Sequence, residues 1–336
     1  MYIMEDDLKL NEWQFSQRKN LPYDVKVRLT EQRIREWYYN WDGKVYVSFS
    51  GGLDSTLLLH LVRKVLGKDI PAVFCNTGLE FPEIVQFARS ASKNGNYVEL
   101  KPDMNFKKVI EMYGYPMISK ETAAKVRKLR HGKLSPRYRN YLLNGDERGK
   151  GYRLALKWHF LLNAPFDISE KCCDVMKKKP FKKYAKETGR LPYIGTTQDE
   201  SYIRERLYAK NGCNVYDGNT IKSTPIGFWK KQDVLRYVYE NNIPFCPVYG
   251  EIVKENETYR LTGEQRTGCM FCGFGCHLEK EPNRFQRMGV SHQKQYEFCM
   301  KPVNQGGLGL GYVLGFIGIP YETWEQNGQL NLFNNI

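Results

Sequence analysis

The residues with the clearest chemical potential lie between a short apolar segment and an apolar helical pattern. The stretch VYVSFSGGLDSTLLLHLV, residues 45–62, runs from β-branched residues through Ser-Gly-Gly-Leu-Asp-Ser into a helix-like sequence. Glycines at a strand-to-helix turn let a ligand approach the backbone, and the first N–H groups of a helix have no partner within it. With the positive end of the helix dipole, these N–H groups form an anion site. The stretch therefore predicts a phosphate-binding loop.

Each residue of this loop has a predicted role. Ser50 and Ser55 would donate hydroxyl hydrogen bonds to phosphate oxygens, and the backbone amides of Gly51 and Gly52 would line the cradle. Asp54 would repel phosphate unless Mg²⁺ lies between them or its carboxylate orients the loop. No Lys follows the glycines, so the loop does not have the G-x-x-x-x-G-K-[ST] pattern. A tight turn with an N-capping Ser is the alternative interpretation.

The cysteines form a second group of candidate functional residues. Cys172 and Cys173 are adjacent, and Cys269 and Cys272 form a Cys-x-x-Cys motif with Cys276 four residues further on. A disulfide between adjacent cysteines needs unusual geometry, and no secretion signal is recognisable, so metal or redox use is favoured. Two thiolates from each segment would complete a Cys₄ site, with Cys276 as a substitute for one ligand. The spacing fits iron–sulfur and zinc equally, and four unliganded buried thiols are the alternative.

The other cysteines and the lysines near the Cys-Cys pair have simpler interpretations. Three consecutive lysines, residues 177–179, would offset the negative charge of a thiolate-bound metal. The remaining thiols are predicted to be ordinary buried groups: Cys75, Cys213, Cys246 and Cys299.

Charge is concentrated in one part of the chain. The 336 residues carry a formal net charge of +14, which favours a polyanionic partner. Twelve Lys or Arg residues and only three acidic residues fall within 120–157, interleaved with Tyr138, Tyr141, Tyr152 and Trp158. Cations and stacking rings in one segment suit a nucleic acid. We therefore expect DNA or RNA to bind through residues 120–157, with a solvated helical insertion as the alternative.

The surrounding pattern predicts the elements that must position these residues. Strands are predicted at Val45–Phe49 and Ala72–Cys75 and in NYVELKP and LPYIG, each followed by a turn or helix. This alternation indicates an α/β fold with a parallel sheet, whose ligands bind at the carboxyl ends of the strands. The loops after the first, second and fourth of these strands should therefore face one another.

The same pattern of strands and helices predicts the organisation of the chain. We expect a helical lead-in over 1–42, a nucleotide-binding α/β domain over 43–247 with a basic insertion at 120–165, and a cysteine-bearing C-terminal region over 248–336. No apolar run is long enough to span a membrane and no apolar leader is present, so the predicted location is the cytoplasm.

Five motifs, in order along the chain, resemble the PP-loop nucleotide α-hydrolases and more closely the phosphoadenosine-phosphosulfate (PAPS) reductase family. The motifs are SFSGGLDS, VFCNTGLEFPE, GTTQDESYIRERL, STPIGFWKKQDVLRYVYENNIP and RTGCMFCGFGCHLE. The resemblance implies a Rossmann-like, adenine nucleotide α-hydrolase fold with helices flanking the sheet. In character the chain is most similar to the iron–sulfur members of the family that act in DNA phosphorothioation.

This resemblance also implies roles for residues. The first loop would hold the nucleotide phosphates, and the second loop, which contains Asn76, Thr77 and Gly78, would lie near the adenosine. Ser201 and Arg204 would help to hold the substrate, with Arg206 as a further candidate. The metal would be a [4Fe–4S] cluster on the residues named above: Cys172, Cys173, Cys269 and Cys272.

Three functions remain open at this point. The first, which we expect, is an ATP pyrophosphatase that uses Mg²⁺ and adenylates a nucleic acid for sulfur transfer, with Asp54, Ser55 and Arg204 as catalytic residues and a sulfur-donor protein as partner. The second is a thiol-dependent PAPS or adenylylsulfate reductase that produces sulfite with a reductant protein. The C-terminal cysteine that such reductases use has no counterpart after Cys299. The third is a non-catalytic Cys₄ module that binds nucleic acid.

Overall fold

The structure is a computed structural model that describes residues 12–146, 151–200, 202–218 and 221–323. Its strands are β1 (Val45–Phe49), β2 (Ala72–Cys75), β3 (Tyr97–Leu100), β4 (Met117–Ile118), β5 (Leu191–Ile194), β6 (Asn214–Val215), β7 (Lys222–Ser223), β8 (Ile252–Glu255), β9 (Thr258–Leu261) and β10 (Gly273–Phe274). Its helices are α1 (Glu12–Lys19), α2 (Tyr23–Asn40), α3 (Leu53–Leu66), α4 (Pro82–Ser90), α5 (Phe106–Tyr113), α6 (Lys120–His131), α7 (Pro136–Asn144), α8 (Lys179–Thr188), α9 (Tyr202–Asn211), α10 (Lys231–Glu240), α11 (Arg284–Ser291), α12 (Gln293–Met300) and α13 (Leu310–Ile317).

The chain forms two compact units. Unit 1 consists of the described parts of Met1–Asn76, Glu80–Lys101 and Pro180–Thr267. Unit 2 consists of the described parts of Thr77–Leu79, Pro102–Lys179 and Gly268–Ile336. Both units are therefore built from segments that are distant in the sequence.

Unit 1 contains a six-stranded sheet with the order β3-β2-β1-β5-β7-β6. All neighbouring pairs are parallel except β6 and β7, which are antiparallel. The chain leaves β1 towards β2 and β3 and then returns to add β5 on the other side of β1. The carboxyl ends of β1 and β5 therefore flank the point where the strand order reverses, which is where open α/β sheets bind ligands. This sheet confirms the predicted α/β fold class.

The strands and the following helices arise from local sequence. The strand β1 is buried along nearly its whole length, as expected of a central parallel strand. The helix α3 buries Leu57, Leu58 and Leu61 against the sheet. Because these apolar positions follow the loop at helical spacing, the sequence fixes both the end of β1 and the direction in which α3 leaves it.

The predicted boundaries differ from the division into units. The helix α2, expected within a separate lead-in, contributes Ile34 and Trp37 to the core of unit 1, and the hydroxyl of Tyr193 on β5 donates to the Ile34 carbonyl at 2.6 Å. The core of unit 1 also extends past residue 247, because Ile252 and Leu261 of the hairpin β8–β9 are buried in it. Burial of apolar side chains, rather than order along the chain, sets these limits.

Unit 2 contains the basic segment and the cysteines. Within it, β4 pairs in parallel with β10, so that Met117 lies opposite Gly273. A Cβ added at Gly273 would lie 2.1 Å from the Met117 sulfur, so a larger residue there would displace the buried Met117 side chain. In the described part of the chain, no helix has the length and apolar character needed to cross a membrane.

Candidate functional site

The loop after β1 has a backbone that requires its two glycines for different reasons. Gly51 has φ +71°, which favours glycine, and a Cβ there would lie 3.0 Å from a methyl carbon of Ile84. Gly52 has an ordinary extended conformation, φ −76° and ψ 161°, and is the N-cap of α3. A Cβ at Gly52 would lie 3.2 Å from the hydroxyls of Ser50 and Tyr249. Gly51 thus shapes the turn, whereas Gly52 leaves space between hydroxyl groups.

Serine hydroxyl groups form hydrogen bonds with the backbone N–H and C=O groups of this loop. The Ser50 N–H donates to Ser55 Oγ at 3.1 Å, and the two hydroxyl oxygens are 2.9 Å apart. The Ser55 hydroxyl donates to the Gly52 carbonyl at 2.8 Å, and the Gly52 N–H donates to Ser50 Oγ at 3.3 Å. The structure therefore brings together the predicted loop residues Ser50, Gly52 and Ser55. We call residues 50–55 the anion loop.

Two residues that the sequence analysis missed complete this network. The N–H of Leu53, the first residue of α3, donates to the Tyr249 hydroxyl at 3.2 Å. The Tyr249 hydroxyl is also 2.5 Å from the hydroxyl oxygen of Thr267. Phosphate oxygens are stronger acceptors for such N–H groups than a neutral phenol is. Only the three-dimensional fold brings Tyr249 and Thr267 to the loop, so no local motif indicated them.

Asp54 lies in the first turn of α3 and is half-buried. Burial raises the pKa of Tyr249, and the negative charge of Asp54 raises it further. The loop after β5 also passes close to this turn, because a Cβ at Gly195 would lie 3.0 Å from the Asp54 carbonyl oxygen. Gly195 therefore allows the ends of β1 and β5 to approach each other at the switch point.

The loop after β2 begins with Asn76, whose amide donates to the Glu99 carboxylate at 2.9 Å. Arg89 donates to both oxygens of the same carboxylate, and the Tyr97 hydroxyl donates to it at 3.1 Å. The bonds from Arg89, and then those from Asn76 and Tyr97, lower the pKa of Glu99 to about 2. Glu99, which the sequence analysis did not single out, fixes the Asn76 side chain.

The next two residues of this loop belong to unit 2. Thr77 is buried, and its hydroxyl oxygen accepts from the Leu79 N–H at 3.3 Å. Gly78 is exposed, with φ +74°. The Leu79 carbonyl accepts a hydrogen bond from the Met270 N–H at 2.7 Å. Residues 77–79 are thus held beside the Cys-x-x-Cys segment of their own unit.

The third motif, GTTQDESYIRERL, is described only in part. Ser201 lies outside the described residues, and so does the side chain of Arg204. Arg206, on α9, is exposed. The proposed substrate roles of these three residues therefore stay predictions.

The two cysteine pairs lie together in unit 2. The pKa of Cys172 is raised well above its ordinary value, first by burial and then by the neighbouring thiols of Cys173, Cys269 and Cys272. The pKa of Cys272 is also raised by burial and by Cys173. Charges affect one another's ionisation only within one neighbourhood of the fold. The two cysteine pairs therefore lie in one region of unit 2, and their arrangement as ligands of one metal stays a prediction.

The four thiols do not form a closed site for one ion. Among the described residues, no group of three or more His, Cys, Asp or Glu side chains is arranged to hold a metal ion. In a tetrahedral zinc site with Zn–S bonds of about 2.3 Å, the sulfur atoms would lie about 3.8 Å apart. An iron–sulfur cluster binds each cysteine at a different iron, so its ligands lie further apart. The choice between an iron–sulfur cluster and zinc therefore stays a prediction.

Local structure supports both pairs. Cys172 and Cys173 open a helical turn that continues as a π-helix over Asp174–Lys178, a feature frequent at functional sites. The Cys272 N–H donates to the Cys269 carbonyl at 3.1 Å, which closes the Cys-x-x-Cys turn. Both motifs therefore have defined backbone geometry.

The cations near the thiols differ from those expected. Lys177 lowers the pKa of Cys172, as predicted for the lysine run. Lys178 and Lys179 instead pair with Asp174 and Asp103, each at 2.7 Å. Their charges are balanced by these carboxylates. Lys120 and Arg284 supply charge to the site instead, because both lower the pKa of Cys272.

Cys276 lies beside this group and is almost fully buried. Burial raises its pKa to about 12, and the Glu279 carboxylate raises it too, against the lowering effect of Arg284 and Arg287. Cys272 acts on Cys276, but Cys276 is not among the groups that act on Cys172. The substitution of Cys276 for a ligand stays a prediction. The other four cysteines are buried, as expected.

The basic segment uses several of its cations internally. Arg127 binds the Glu170 carboxylate through two hydrogen bonds of 2.7 and 3.0 Å. Arg130 lies 3.2 Å from the Asp167 carboxylate. Lys125 is buried and pairs with Glu121. The surplus charge of the segment is therefore smaller than its composition indicates, since two of these acids lie beyond residue 157.

The tyrosines of the segment stack on one another. Tyr141 is stacked between Tyr138 and Tyr152, with ring centroids 6.2 and 6.1 Å apart. Lys125 lies over the Tyr152 ring at 4.1 Å and Lys128 over the Tyr138 ring at 5.8 Å. These contacts link α6 and α7, while Tyr152 stays 38% exposed, and nucleic-acid binding through residues 120–157 stays a prediction.

The comparisons with known proteins define the class. Residues 44–148 and 144–293 match the model of the phosphoadenosine phosphosulfate reductase domain. The chain therefore belongs to the phosphoadenosine phosphosulfate reductase family, and the resemblance inferred from the motifs is confirmed.

Individual relatives are distant. The chain is 25% identical over 269 residues to an uncharacterised protein of Methanocaldococcus jannaschii, covering 74% of this chain and 42% of that protein. It is 23% identical over 289 residues to sulfate adenylyltransferase subunit 2 of Shewanella baltica strain OS195, covering 77% of each. A crystal structure of PAPS reductase from Candida auris, a phosphate complex, is 15% identical with a TM-score of 0.38, covering 75% of this chain and 99% of that one.

Proposed function

We propose that this protein binds ATP with Mg²⁺ in the anion loop and adenylates a nucleic-acid acceptor so that sulfur can be inserted. The observation that carries this proposal is the anion loop itself. Gly52 keeps the space between the hydroxyls of Ser50 and Tyr249 open at the N-terminus of α3. A phosphate in that space would accept from the Leu53 N–H and the loop hydroxyls.

The proposed chemistry is substitution at the α-phosphorus. An acceptor oxygen attacks this phosphorus, the bond to the bridging oxygen of pyrophosphate breaks, and pyrophosphate leaves while the acceptor carries AMP. A sulfur donor at the hydrosulfide level then attacks the activated acceptor atom, and AMP leaves with the acceptor's oxygen. Asp54 would hold Mg²⁺ at the phosphates, and Arg204 would neutralise the charge that develops.

Two further observations support adenylation. The anion loop has no lysine of the kind that serves γ-phosphate transfer. A relative that aligns over 77% of this chain is named a sulfate adenylyltransferase subunit. Reduction of PAPS or adenylylsulfate is the second candidate, supported by the family's name.

The cysteine group would hold an iron–sulfur cluster, with Cys172, Cys173, Cys269 and Cys272 as ligands. Bound there, such a cluster would crosslink the two segments and relay sulfur to the acceptor. The chain's own part is to supply the thiolates, with positive charge from Lys120, Lys177 and Arg284 favouring their deprotonation. The Arg284 guanidinium also donates a hydrogen bond to the Cys272 carbonyl at 3.0 Å, which orients the backbone of Cys272.

The test compares two products from protein purified without oxygen. ATP and Mg²⁺ are supplied with or without DNA or RNA, and pyrophosphate is measured; PAPS and a thiol reductant are supplied in parallel, and sulfite is measured. We expect pyrophosphate release that nucleic acid increases. Formation of sulfite without release of pyrophosphate would contradict adenylation and indicate that the protein is a reductase.

Gly52→Val provides the matched variant. The backbone angles of Gly52 are ones that valine also adopts. The added side chain would therefore crowd the Ser50 and Tyr249 hydroxyls that line the cradle, without requiring a different backbone conformation. We expect ATP binding, measured by calorimetry, to fall at least about tenfold, the loss of roughly 1.4 kcal/mol of binding free energy. Gly151→Ala is the control, because a Cβ there meets nothing within 4 Å. Unchanged ATP affinity in Gly52→Val, with an unchanged unfolding temperature, would contradict the phosphate-cradle role.

A further inference from the structure

Unit 2 exposes a patch of large apolar side chains, which we call the aromatic face. It consists of Leu156 (65% exposed), Phe160 (41%), Tyr312 (63%) and Phe316 (41%). Phe160 and Leu156 lie in the turn of helix at Leu156–Asn163, and the other two lie on α13. Contiguous exposure of such side chains marks an interaction surface.

The rings of this face touch through edges and tilted contacts. The centroids of Phe160 and Phe316 are 5.9 Å apart with planes inclined by 39°. Phe166 meets Phe316 at 5.2 Å and Tyr312 at 6.0 Å, both edge to face. No pair of these rings is stacked in parallel, and Phe160, Tyr312 and Phe316 are each at least 41% exposed, so part of each ring is accessible to a ligand. This arrangement contrasts with the tyrosines of the basic segment, which stack face to face.

The aromatic face continues to the cysteine group. Trp158 contacts Phe160 at 6.2 Å on one side and His277 at 5.3 Å on the other. His277 directly follows Cys276, which lies four residues after Cys272 in the cysteine motif. A molecule lying along the face would therefore run towards the cysteines.

Positive charge borders the face. The Lys157 ammonium lies 5.2 Å from the centre of the Trp158 ring, and Lys157 is exposed. Exposed lysines and arginines of the basic segment, at 120, 133, 137 and 139, lie in the same unit. Open ring faces beside cations are the features by which proteins bind single-stranded nucleic acids, with bases on the rings and phosphates on the cations. A double helix hides its base faces and would not use the rings.

We propose that the aromatic face binds a single-stranded segment of nucleic acid, with bases stacked on Phe160, Tyr312 and Phe316 and a phosphate at Lys157. The proposal rests on the proposed function, because it assigns the surface that presents the sulfur acceptor to the cysteines. It also moves base contact away from the tyrosines of residues 120–157. The lysines and arginines of residues 120–157 would instead contact the phosphate backbone of the nucleic acid.

The experiment measures fluorescence anisotropy of labelled oligonucleotides with the full chain. Single-stranded DNA, single-stranded RNA and a duplex of equal length are titrated at several salt concentrations. We expect a single strand to bind more tightly than the duplex. Phe316→Ala and Tyr312→Ala should each weaken single-strand binding about tenfold, within the range for loss of a stacked base.

Two comparisons separate stacking from charge and from misfolding. Lys157→Gln should reduce the slope of log affinity against log salt by about one phosphate contact, whereas Tyr312→Ala should leave that slope unchanged. Phe298→Ala is the matched control, because Phe298 is 44% exposed in the same unit and contacts Phe271 rather than the face. It should bind as the unaltered protein does.

Wild-type affinity in both Phe316→Ala and Tyr312→Ala would overturn the proposal, and the face would then suit a protein partner. Tighter binding of the duplex would also overturn it. Single-strand binding that depends on the face, without nucleic-acid-stimulated pyrophosphate release, would support the face and contradict the adenylation proposal. The two proposals therefore fail separately.

Discussion

The anion loop and the cysteine group are assembled in different ways. In the anion loop, Ser50 and Ser55 satisfy backbone donors and acceptors within six residues of sequence, and one hydroxyl from Tyr249 completes the set. The cysteine group joins two pairs that are distant in the chain, and burial raises the pKa of one thiol in each pair, Cys172 and Cys272.

This difference shows what each site needs from its ligand. The anion loop is satisfied by neutral hydroxyl acceptors, so a phosphate would exchange one set of hydrogen bonds for a stronger set. Burial and mutual repulsion disfavour ionised thiols, and Lys120, Lys177 and Arg284 offset these effects only in part, so a metal would have to supply further positive charge. Loss of the ligand should therefore affect unit 2 far more than unit 1.

The largest expected effect comes from removing one thiol of the cysteine group. Cys172→Ser should reduce the iron content of anaerobically purified protein from about four atoms per chain to below about one, because a cluster needs all four thiolates. Iron and acid-labile sulfide are measured together with ATP affinity, which should change less than about twofold if the anion loop is independent. Cys299→Ala, at a buried thiol outside the group, is the control. Equal iron in Cys172→Ser and the unaltered protein would remove Cys172 from the ligand set.

A smaller effect tests whether the anion loop holds itself together. Tyr249→Phe leaves the Leu53 N–H without its acceptor, and should cost about 1–2 kcal/mol of unfolding free energy. Saturating ATP should recover part of this loss, because a phosphate oxygen would replace the phenol. The measurement is thermal unfolding with and without ATP and Mg²⁺.

Tyr193→Phe is the matched control for that comparison. It removes a hydrogen bond of 2.6 Å to the Ile34 carbonyl in the same unit but away from the loop. Its cost should be insensitive to ATP. Should both variants respond to ATP equally, Tyr249 would have no special relation to the phosphate site.

The smallest effect concerns the second loop of unit 1. Glu99 has its pKa lowered from 4.5 to about 2, so its hydrogen bonds stabilise the fold above about pH 4.3, and this contribution disappears as the pH falls towards 2. Glu99→Gln should lower the unfolding free energy at pH 7 by less than about 1 kcal/mol, because the carboxylate is partly solvated. The difference from the unaltered protein should shrink between pH 4 and pH 3, as measured by urea unfolding.

The contact between Glu99 and Asn76 allows a functional test of the same variant by ATP binding. If the Glu99 carboxylate fixes the Asn76 amide for the nucleotide, Glu99→Gln should also weaken ATP binding. Glu255→Gln breaks an exposed pair with Arg260 and should leave ATP binding unchanged. A constant ATP affinity in both variants would limit Glu99 to a structural role.

The sequence was sufficient for features with local causes. The limits of β1 and β2 match the predicted strands Val45–Phe49 and Ala72–Cys75, because β-branched and apolar runs end at turn residues. The anion loop was predictable because a strand, two glycines and a helix adjoin in the sequence.

Features that depend on distant contacts were not predictable. Tyr249 and Thr267 reach the anion loop only because the sheet and its hairpin bring them there. The partners of Arg127 and Arg130 lie outside the segment whose charge was counted, so composition overstated its free charge. Ring exposure likewise depends on packing, which is why the charge pattern of residues 120–157 gave no indication of the exposed rings of Tyr312 and Phe316 on α13.

The contact between Gly273 and Met117 has a consequence for how this family member can diverge. A side chain at position 273 would overlap the Met117 sulfur, although Gly273 neither ligates nor donates chemistry. Gly268, near the start of the same motif, has nothing within 4 Å of an added Cβ. Invariance at 273 in descendants of this sequence would therefore record a steric constraint, and would be mistaken for a catalytic signature if judged by conservation alone.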